Sequence, residues 1–294
     1  MHCELIVPGL PGAPREDRLP ALERLLARGR RTRRAPAGVA AWLLESFGGG
    51  ATQGEQWMRA DPVHLRPDRD RVLVVPATAF RIAREEAEAL CGAIGRHFGG
   101  ELNVFPVTPT SWGGKSNIGE FLESDADLMQ LPGRVKRWHA LLNEIQMVLH
   151  DHPVNQAREA RGEPAVNGLR LWGAARLPRA PNGPWQSVSA DDAVALELAR
   201  RAGMRHRALP DSAGEWIGRL PEEGRHLAVL HLFSMEKNAR KNENDWISPL
   251  LSALREGAIG MLTIHSPEAG WKVEAVRADL RRFWRASRPV HAYR

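Results

Sequence analysis

The segment from His150 to Asn167 holds the densest group of side chains that can bind a ligand, since it mixes His, Asp, Asn and Arg with Gly and Pro. Arg158 and Arg161 are three residues apart, so a helical turn can point both guanidinium groups to one side. Two such groups form a fork that suits a phosphate or a carboxylate. The pattern therefore predicts an anion site. In the structural alternative, these polar groups cap helices and satisfy loop backbone, and Arg158 pairs with Asp151 or Glu159.

Other known catalytic motifs are absent from the 294 residues: no GxSxG, P-loop, HExxH or dinucleotide-binding glycine pattern occurs. Gly113-Gly114-Lys115-Ser116 resembles the end of a phosphate-binding loop, but the first glycine of that motif is missing. His150, Asp151 and His152 are sequence neighbours, which seldom face one ion without a special loop. We therefore predict no metal site and assign no catalytic residue.

The elements that must position these side chains follow from hydrophobic spacing. Short apolar runs predict strands at 4–7, 72–75, 102–107, 169–173, 227–233 and 258–264. Helical spacing predicts helices at 19–28, 38–47, 82–98, 135–150, 193–204 and 245–256, whereas 270–284 fits either state. Strands and helices alternate through the second half, which is typical of a mostly parallel sheet covered by helices. We predict an α/β fold in which 4–7, 227–233 and 260–264 share one sheet.

Composition limits the class of protein. Hydrophobic residues make up 43% and charged residues 26%, as in ordinary globular proteins. Cys3 and Cys91 are too few for a disulfide framework or a cysteine zinc site, which favours the cytoplasm. We expect neither a signal peptide nor a membrane partner, because no apolar run approaches the length of a span.

The net charge of +6 comes largely from arginine. Basic residues concentrate at 28–34 and at 281–288, where Phe283 and Trp284 interrupt them. Such segments can bind nucleic acid electrostatically. No recognised nucleic-acid motif accompanies them, so we interpret both as solvated surface and expect no nucleic-acid partner.

The order of residues after position 150 resembles that of a known family. His152-Pro153-Val154-Asn155 is followed by Arg158, Arg161-Gly162, Pro164-Ala165-Val166-Asn167, Leu171-Trp172-Gly173 and Pro178. This order resembles the signature of archaeal-type, cofactor-independent phosphoglycerate mutases, members of the alkaline phosphatase superfamily. It is closer to a bacterial offshoot, the RpfE-type regulatory proteins, which residues 60–65 and 138–147 also resemble. The similarity is specific from about 135 to 178 and weaker, but collinear, over nearly the whole chain.

The resemblance implies an alkaline phosphatase-like α/β core, built from 1–54 and 180–294. An inserted α/β (α+β) domain, 55–179, would carry the signature. In active members, the core holds two divalent metals and a serine nucleophile, and arginines of the insert grip the phosphoglycerate. The predicted residues for binding a phosphate or carboxylate are Arg158, Arg161, Asn155, Asn167 and His152.

The catalytic positions of that family do not carry over. Pro8 stands where the family has a metal-binding Asp, and 37–41 contains no serine. Residues 235–240 lack the Asp and His of a second metal motif, and His265 alone survives from a later Asp-His pair. We predict a catalytically degenerate, regulatory or anion-sensing protein without a cofactor. The alternatives are an active mutase that uses a divalent metal such as manganese, and a basic nucleic-acid-binding module. The sequence identifies neither a protein partner nor the ligand.

Overall fold

The computed structural model describes residues 1–9, 18–49, 55–69, 71–118, 136–230 and 239–293. The chain divides into two compact units. The first comprises Met1–Trp42, Asn182–Asp191 and Ala199–Arg294, and the second Leu43–Pro181 and Asp192–Leu198. The domain boundaries that the sequence predicted, 1–54 with 180–294 for the core and 55–179 for the insert, stay a prediction.

The first unit contains a mostly parallel sheet. Its strands are β1 (His2–Ile6), β2 (Arg30–Arg33), β8 (Ser187–Ala190), β9 (Arg205–Arg207), β10 (Arg225–Val229), β11 (Met261–Ser266) and β12 (Trp271–Val276). Within the described ranges, the strand order is β2-β12-β11-β1-β10-β8-β9. The pairs from β11 to β9 are parallel, and β12 is antiparallel to both its neighbours. The prediction that 4–7, 227–233 and 260–264 share one sheet is confirmed for the described part of those ranges.

Helices α1 (Pro20–Arg28) and α8 (Ser248–Glu256) pack on one face of this sheet with α7 (Ala213–Gly218). Cys3, Leu5 and Val7 point into that core, as the twofold alternation of a strand requires. A buried carboxylate supports the start of α1, since Glu243 accepts hydrogen bonds from the backbone N–H groups of Ala21 and Leu22. These bonds satisfy donors that a helix start leaves without intrahelical partners.

The second unit contains an antiparallel sheet. Its strands are β3 (Gln56–Asp68), β4 (Arg71–Pro76), β5 (Leu102–Thr108), β6 (Ser111–Ser116) and β7 (Gly168–Arg176). Strand β3 pairs with β4, β6 and β7, and β5 pairs with β6. The Gly-Gly-Lys-Ser run lies within β6, so it is strand rather than a phosphate-binding loop.

Helices α3 (Arg84–Phe98), α4 (Lys136–His150) and α5 (Pro153–Ala160) belong to the second unit. The wide apolar stripe of α4 supplies Trp138, Leu141, Ile145 and Leu149 to its core. Two further α-helices of the described ranges are α2 (Val39–Ser46) and α6 (Ala193–Arg201). The chain therefore has a mixed α/β fold, with one mostly parallel and one antiparallel sheet.

Among the helices of the described ranges, none combines the length and the hydrophobicity needed to cross a membrane.

Candidate functional site

Helix α5 carries the signature segment, and its first turn explains why the sequence begins with His-Pro. His152 is the N-cap residue, and its Nδ1 accepts a hydrogen bond from the backbone N–H of Val154 at 3.2 Å. Pro153 follows in the first turn, where its missing N–H costs nothing. Burial lowers the pKa of His152, and the positive charge of Arg96 acts in the same direction. Both effects favour the neutral imidazole, which can accept the capping bond.

The two asparagines of the signature bind backbone. Asn155 is buried; its amide donates to the carbonyls of Leu149 and Val166 at 2.7 and 2.8 Å, and its oxygen accepts from Val166 N–H at 2.8 Å. Asn167 likewise accepts from Leu65 N–H at 2.6 Å and donates to Leu65 O at 2.9 Å. These contacts join the chain just before β7 to the end of α4, the start of α5 and strand β3.

Replacing Asn155 by alanine is expected to lower the free energy of unfolding by about 2 kcal/mol, because it leaves buried backbone groups without partners. Urea denaturation measures the loss, with Gln156→Ala as the matched control. Gln156 is exposed and makes one long side-chain bond, 3.4 Å to Asp151 O. An equal loss in both variants would contradict the bridging role of Asn155.

Arg158 lies at the centre of the signature and is buried, at 1% relative exposure. Its Nη1 donates to Glu86 Oε2 at 2.6 Å, its Nη2 to Arg81 O at 2.8 Å and its Nε to Pro164 O at 2.8 Å. Its guanidinium also lies over the Phe80 ring, 5.6 Å from the centroid. The alternative interpretation, in which Arg158 pairs with Asp151 or Glu159, is correct that the partner is a carboxylate but wrong about which residue supplies it. The partner is Glu86, 72 residues away, with Glu163 at 3.5 Å.

Arg161 sits at the surface of the same network, with 48% of its side chain exposed. It contacts Glu86 Oε1 at 2.8 Å and Glu163 Oε2 at 2.9 Å. Burial alone would raise the pKa of Glu86, but the Ala83 backbone N–H and the charge of Arg158 outweigh it and lower that pKa. Glu86 therefore stays ionised between the two guanidinium groups.

The predicted fork thus exists, but the protein's own carboxylates occupy it. Arg158 and Arg161 converge on Glu86, whereas Asn155, Asn167 and His152 bind backbone. Arg161 and Glu163 are the exposed pair of this network, with 48% and 43% of their side chains exposed. Ligand binding by these five residues stays a prediction.

A second buried arginine in the same unit was not predicted from the sequence. Arg59 of β3 donates to Asp61 at 2.8 and 3.1 Å and to Ser111 Oγ at 2.8 Å. Its guanidinium faces the Trp172 ring at 5.1 Å, and Trp172 Nε1 donates to Asp61 Oδ2 at 2.9 Å. The Leu-Trp-Gly part of the signature therefore holds the Arg59–Asp61 pair in place. The Arg-x-Asp spacing places both side chains on one face of a strand, but the sequence did not predict strand β3, so the spacing alone gave no signal.

The first unit contains a charged cluster on the face of its sheet opposite α1. Glu4, at 2% exposure, lies in the middle of β1. Its Oε2 is 3.0 Å from His265 Nε2, and its Oε1 is 2.6 Å from Arg225 Nη2. A carboxylate only accepts, so His265 donates through Nε2. The signal in the sequence was Glu4 itself, a charged residue inside an apolar strand. A buried charge needs a partner, so this residue indicates an ion pair within the core.

The ionised state of Glu4 is strongly favoured. Burial on its own would raise the pKa of Glu4, but the hydrogen bonds from His265 and Arg225 outweigh it and hold the pKa at about 2. The indole of Trp42 covers the pair, with its ring centroid 4.7 Å from that of His265. One nitrogen of His265 is therefore committed to Glu4 beneath an aromatic cover.

The described residues do not fit a two-metal phosphotransfer site. Pro8 offers no side-chain ligand after β1, and residues 37–41 carry no hydroxyl nucleophile. No group of three or more His, Cys, Asp or Glu side chains in the described ranges could hold an ion. Most of 235–240 lies outside those ranges.

The two cysteines do not supply a nucleophile in place of serine. Cys3 and Cys91 are buried, free thiols. Burial raises the pKa of Cys3 to about 12 and raises that of Cys91 further still. The thiolate is the reactive form, so both act as small apolar core residues at neutral pH.

Comparisons with known proteins show that the fold of this chain is shared with a solved structure. No family model and no curated protein matches the sequence. The PH0037 protein from Pyrococcus horikoshii has a similar structure, with a TM-score of 0.50 and 15% identity over 94% of this chain and 87% of that chain. A cofactor-independent phosphoglycerate mutase from Thermoplasma acidophilum gives a TM-score of 0.39 and 14% identity over 99% of this chain and 94% of that one. The first likeness shows a common fold, and the second score is too low to establish one.

Proposed function

We propose that this chain is a cytoplasmic, phosphoglycerate mutase-like protein of the alkaline phosphatase superfamily. It resembles the RpfE-type regulatory proteins and no longer performs metal-dependent phosphoryl transfer. It acts instead by sensing an anionic small molecule, and the proposal includes no metal cofactor. The support is the order of residues from His152 to Pro178 together with Pro8 in place of the metal-binding Asp of the active family.

The observation that carries this proposal is that His265 stands without the metal-binding Asp that the active family has where this chain has Pro8. By the resemblance, this histidine corresponds to one of the metal-binding residues of the active family. Here its Nε2 donates to Glu4, which Arg225 also holds, and Trp42 packs on its ring. The bond to Glu4 does not by itself exclude a metal, because a metal-binding histidine usually donates its other ring nitrogen to a carboxylate. A shared ion is disfavoured by Pro8, whose side chain has no ligand atom; the Glu268 carboxylate beside it accepts a hydrogen bond from Gly9 N–H at 3.1 Å.

The sensing role rests on the network around Arg161. Two guanidinium groups share two carboxylates there, and the Arg161–Glu163 pair is about half exposed. A phosphate or carboxylate ligand can replace Glu163 at Arg161 without moving the buried Arg158. Phosphate suits the planar fork of arginine better than a side-chain carboxylate does, because it offers more acceptor oxygens.

Phosphoglycerate at about ten times its dissociation constant is expected to raise the melting temperature by about 2–4 °C, which corresponds to about 1.4 kcal/mol. Arg161→Ala should abolish the shift. Arg84→Ala is the matched control, because Arg84 is exposed and pairs with Glu88 on its own helix at 3.0 Å. A thermal shift that is absent in the wild type, or kept in Arg161→Ala, would show that Arg161 is not the sensing residue.

A further inference from the structure

Two basic segments at opposite ends of the sequence meet on the first unit. Arg28 Nη1 donates to the carbonyl of Leu280 at 2.6 Å. Arg282 Nη1 donates to the carbonyl of Arg28 at 3.0 Å, across a separation of 254 residues. These bonds attach the segment after β12 to the end of α1. We call the combination of Arg30–Arg33 and residues 281–288 the arginine–aromatic surface.

Tyr293 links the two parts of this surface again. The Arg31 guanidinium lies over the Tyr293 ring at 4.8 Å from its centroid, and the Tyr293 hydroxyl accepts from Arg288 N–H at 3.0 Å. Val290 is buried beside them in the core, and Leu280 packs against that core. The segment is therefore anchored on both sides of residues 281–288.

Between these anchors, two aromatic side chains face solvent. Phe283 is 79% exposed and Trp284 is 68% exposed. Their ring centroids are 5.4 Å apart and their planes are at 81°. Two large apolar side chains that are exposed side by side form an apolar surface patch. Exposed apolar patches mark interaction sites.

The arginines of the surface have few protein partners. Arg282 pairs with Asp279 at 2.8 Å, which fixes the turn. Among the described residues, no carboxylate lies within ion-pair distance of Arg30, Arg281, Arg285 or Arg288, all of which are exposed. The surface therefore combines uncompensated positive charge with exposed aromatic rings.

We propose that the arginine–aromatic surface binds single-stranded nucleic acid. Guanidinium groups pair with successive backbone phosphates, and the Phe283 and Trp284 rings stack on unpaired bases. Such stacking requires bases that are not already stacked in a duplex, so single strands are preferred. This function goes beyond anion sensing at Arg161, which belongs to the other unit.

Two other roles, protecting a sheet edge and attaching to a membrane, each explain only some features of the arginine–aromatic surface. Charged residues on an edge strand such as β2 prevent pairing with another chain, which explains Arg30–Arg33 but not the exposed rings. An anionic membrane also attracts arginine and tryptophan. However, the segment is a short 3-10 turn at Arg277–Arg281 followed by irregular chain, and it lacks the amphipathic helix that inserts into lipid.

Fluorescence anisotropy with a labelled oligothymidylate of about 15 nucleotides tests the proposal. Binding should weaken as salt rises from about 50 to about 200 mM. Phe283→Ala with Trp284→Ala should weaken binding about tenfold or more and leave the salt dependence unchanged. Arg285→Gln with Arg288→Gln should weaken it about tenfold and reduce the logarithmic salt slope by about one to two.

The matched controls remove the same chemistry elsewhere. Met147→Ala removes another exposed apolar side chain, 74% exposed, and Arg66→Gln with Arg255→Gln removes two exposed charges. Both controls should bind like the wild type, and a duplex of the same sequence should bind more weakly. The proposal is overturned by equal losses in the controls, by no oligonucleotide binding at low salt, or by binding to phosphatidylserine vesicles without oligonucleotide binding.

Discussion

Replacing Arg158 by alanine is expected to lower the free energy of unfolding by about 2–4 kcal/mol, because it removes a buried side chain together with three hydrogen bonds and leaves buried carbonyls without partners. The substitution removes one ion-pair partner of Glu86 and leaves the carbonyls of Arg81 and Pro164 without hydrogen-bond donors. Chemical denaturation at neutral pH measures the change. Arg158→Met keeps most of the apolar stem and should lose nearly as much, because the loss comes from the charge and its hydrogen bonds.

Arg161→Ala is the matched control for this experiment. Arg161 contacts the same Glu86 and Glu163 but is 48% exposed. Solvent screens an exposed pair, so the expected loss is below about 1 kcal/mol. Equal losses in the Arg158 and Arg161 variants would contradict the distinction between a structural and a surface arginine.

Glu4→Gln is expected to remove about 3 kcal/mol of stability at neutral pH. The folded-state pKa of Glu4 is about 2 against an ordinary value of 4.5, and each unit of difference corresponds to about 1.4 kcal/mol. Because the folded-state pKa is the lower one, this contribution is fully present above about pH 4.5 and is lost as the pH falls through about 2.

The pH dependence separates this effect from a packing defect. At about pH 3 the difference between wild type and Glu4→Gln should fall to about half or less of its neutral value, because the unfolded carboxyl is then protonated. Urea denaturation at both pH values measures it. Exposed Glu256→Gln is the control, and it should change stability little at either pH. A Glu4→Gln deficit that is independent of pH would mean that Glu4 makes no ionised pair.

The fold was predictable where burial alone decides the structure. Strands β1, β10 and β11 are apolar runs because both faces of a parallel sheet are covered, and helix α4 shows a wide apolar stripe. Strand β2 was missed because its Arg-Arg-Thr-Arg sequence lies at an exposed edge, where charge protects the sheet. Strand β3 was missed because it contains Pro62 and Pro67, which argue against a strand.

The candidate site was predictable in its composition but not in its contacts. The spacing of Arg158 and Arg161 indicated that both face one side, and both do contact Glu86. No local pattern could identify Glu86, since it comes from α3, far away in the sequence. The Glu4–His265 pair likewise joins strands 261 residues apart. Contacts between distant elements depend on the packing of sheets and helices, which residue spacing does not contain.

The most direct test of the central claim is a mutase assay on the purified protein. The wild type and His265→Ala, prepared identically and both shown to be folded, are incubated with manganese and 3-phosphoglycerate. Phosphorus NMR then follows the formation of 2-phosphoglycerate. The account predicts that the two proteins give the same background conversion, since the chain has Pro8 in place of the metal-binding Asp of the active family and no serine at 37–41. Conversion by the wild type that is lost in His265→Ala would contradict it, because a contaminating host mutase would act equally in both preparations.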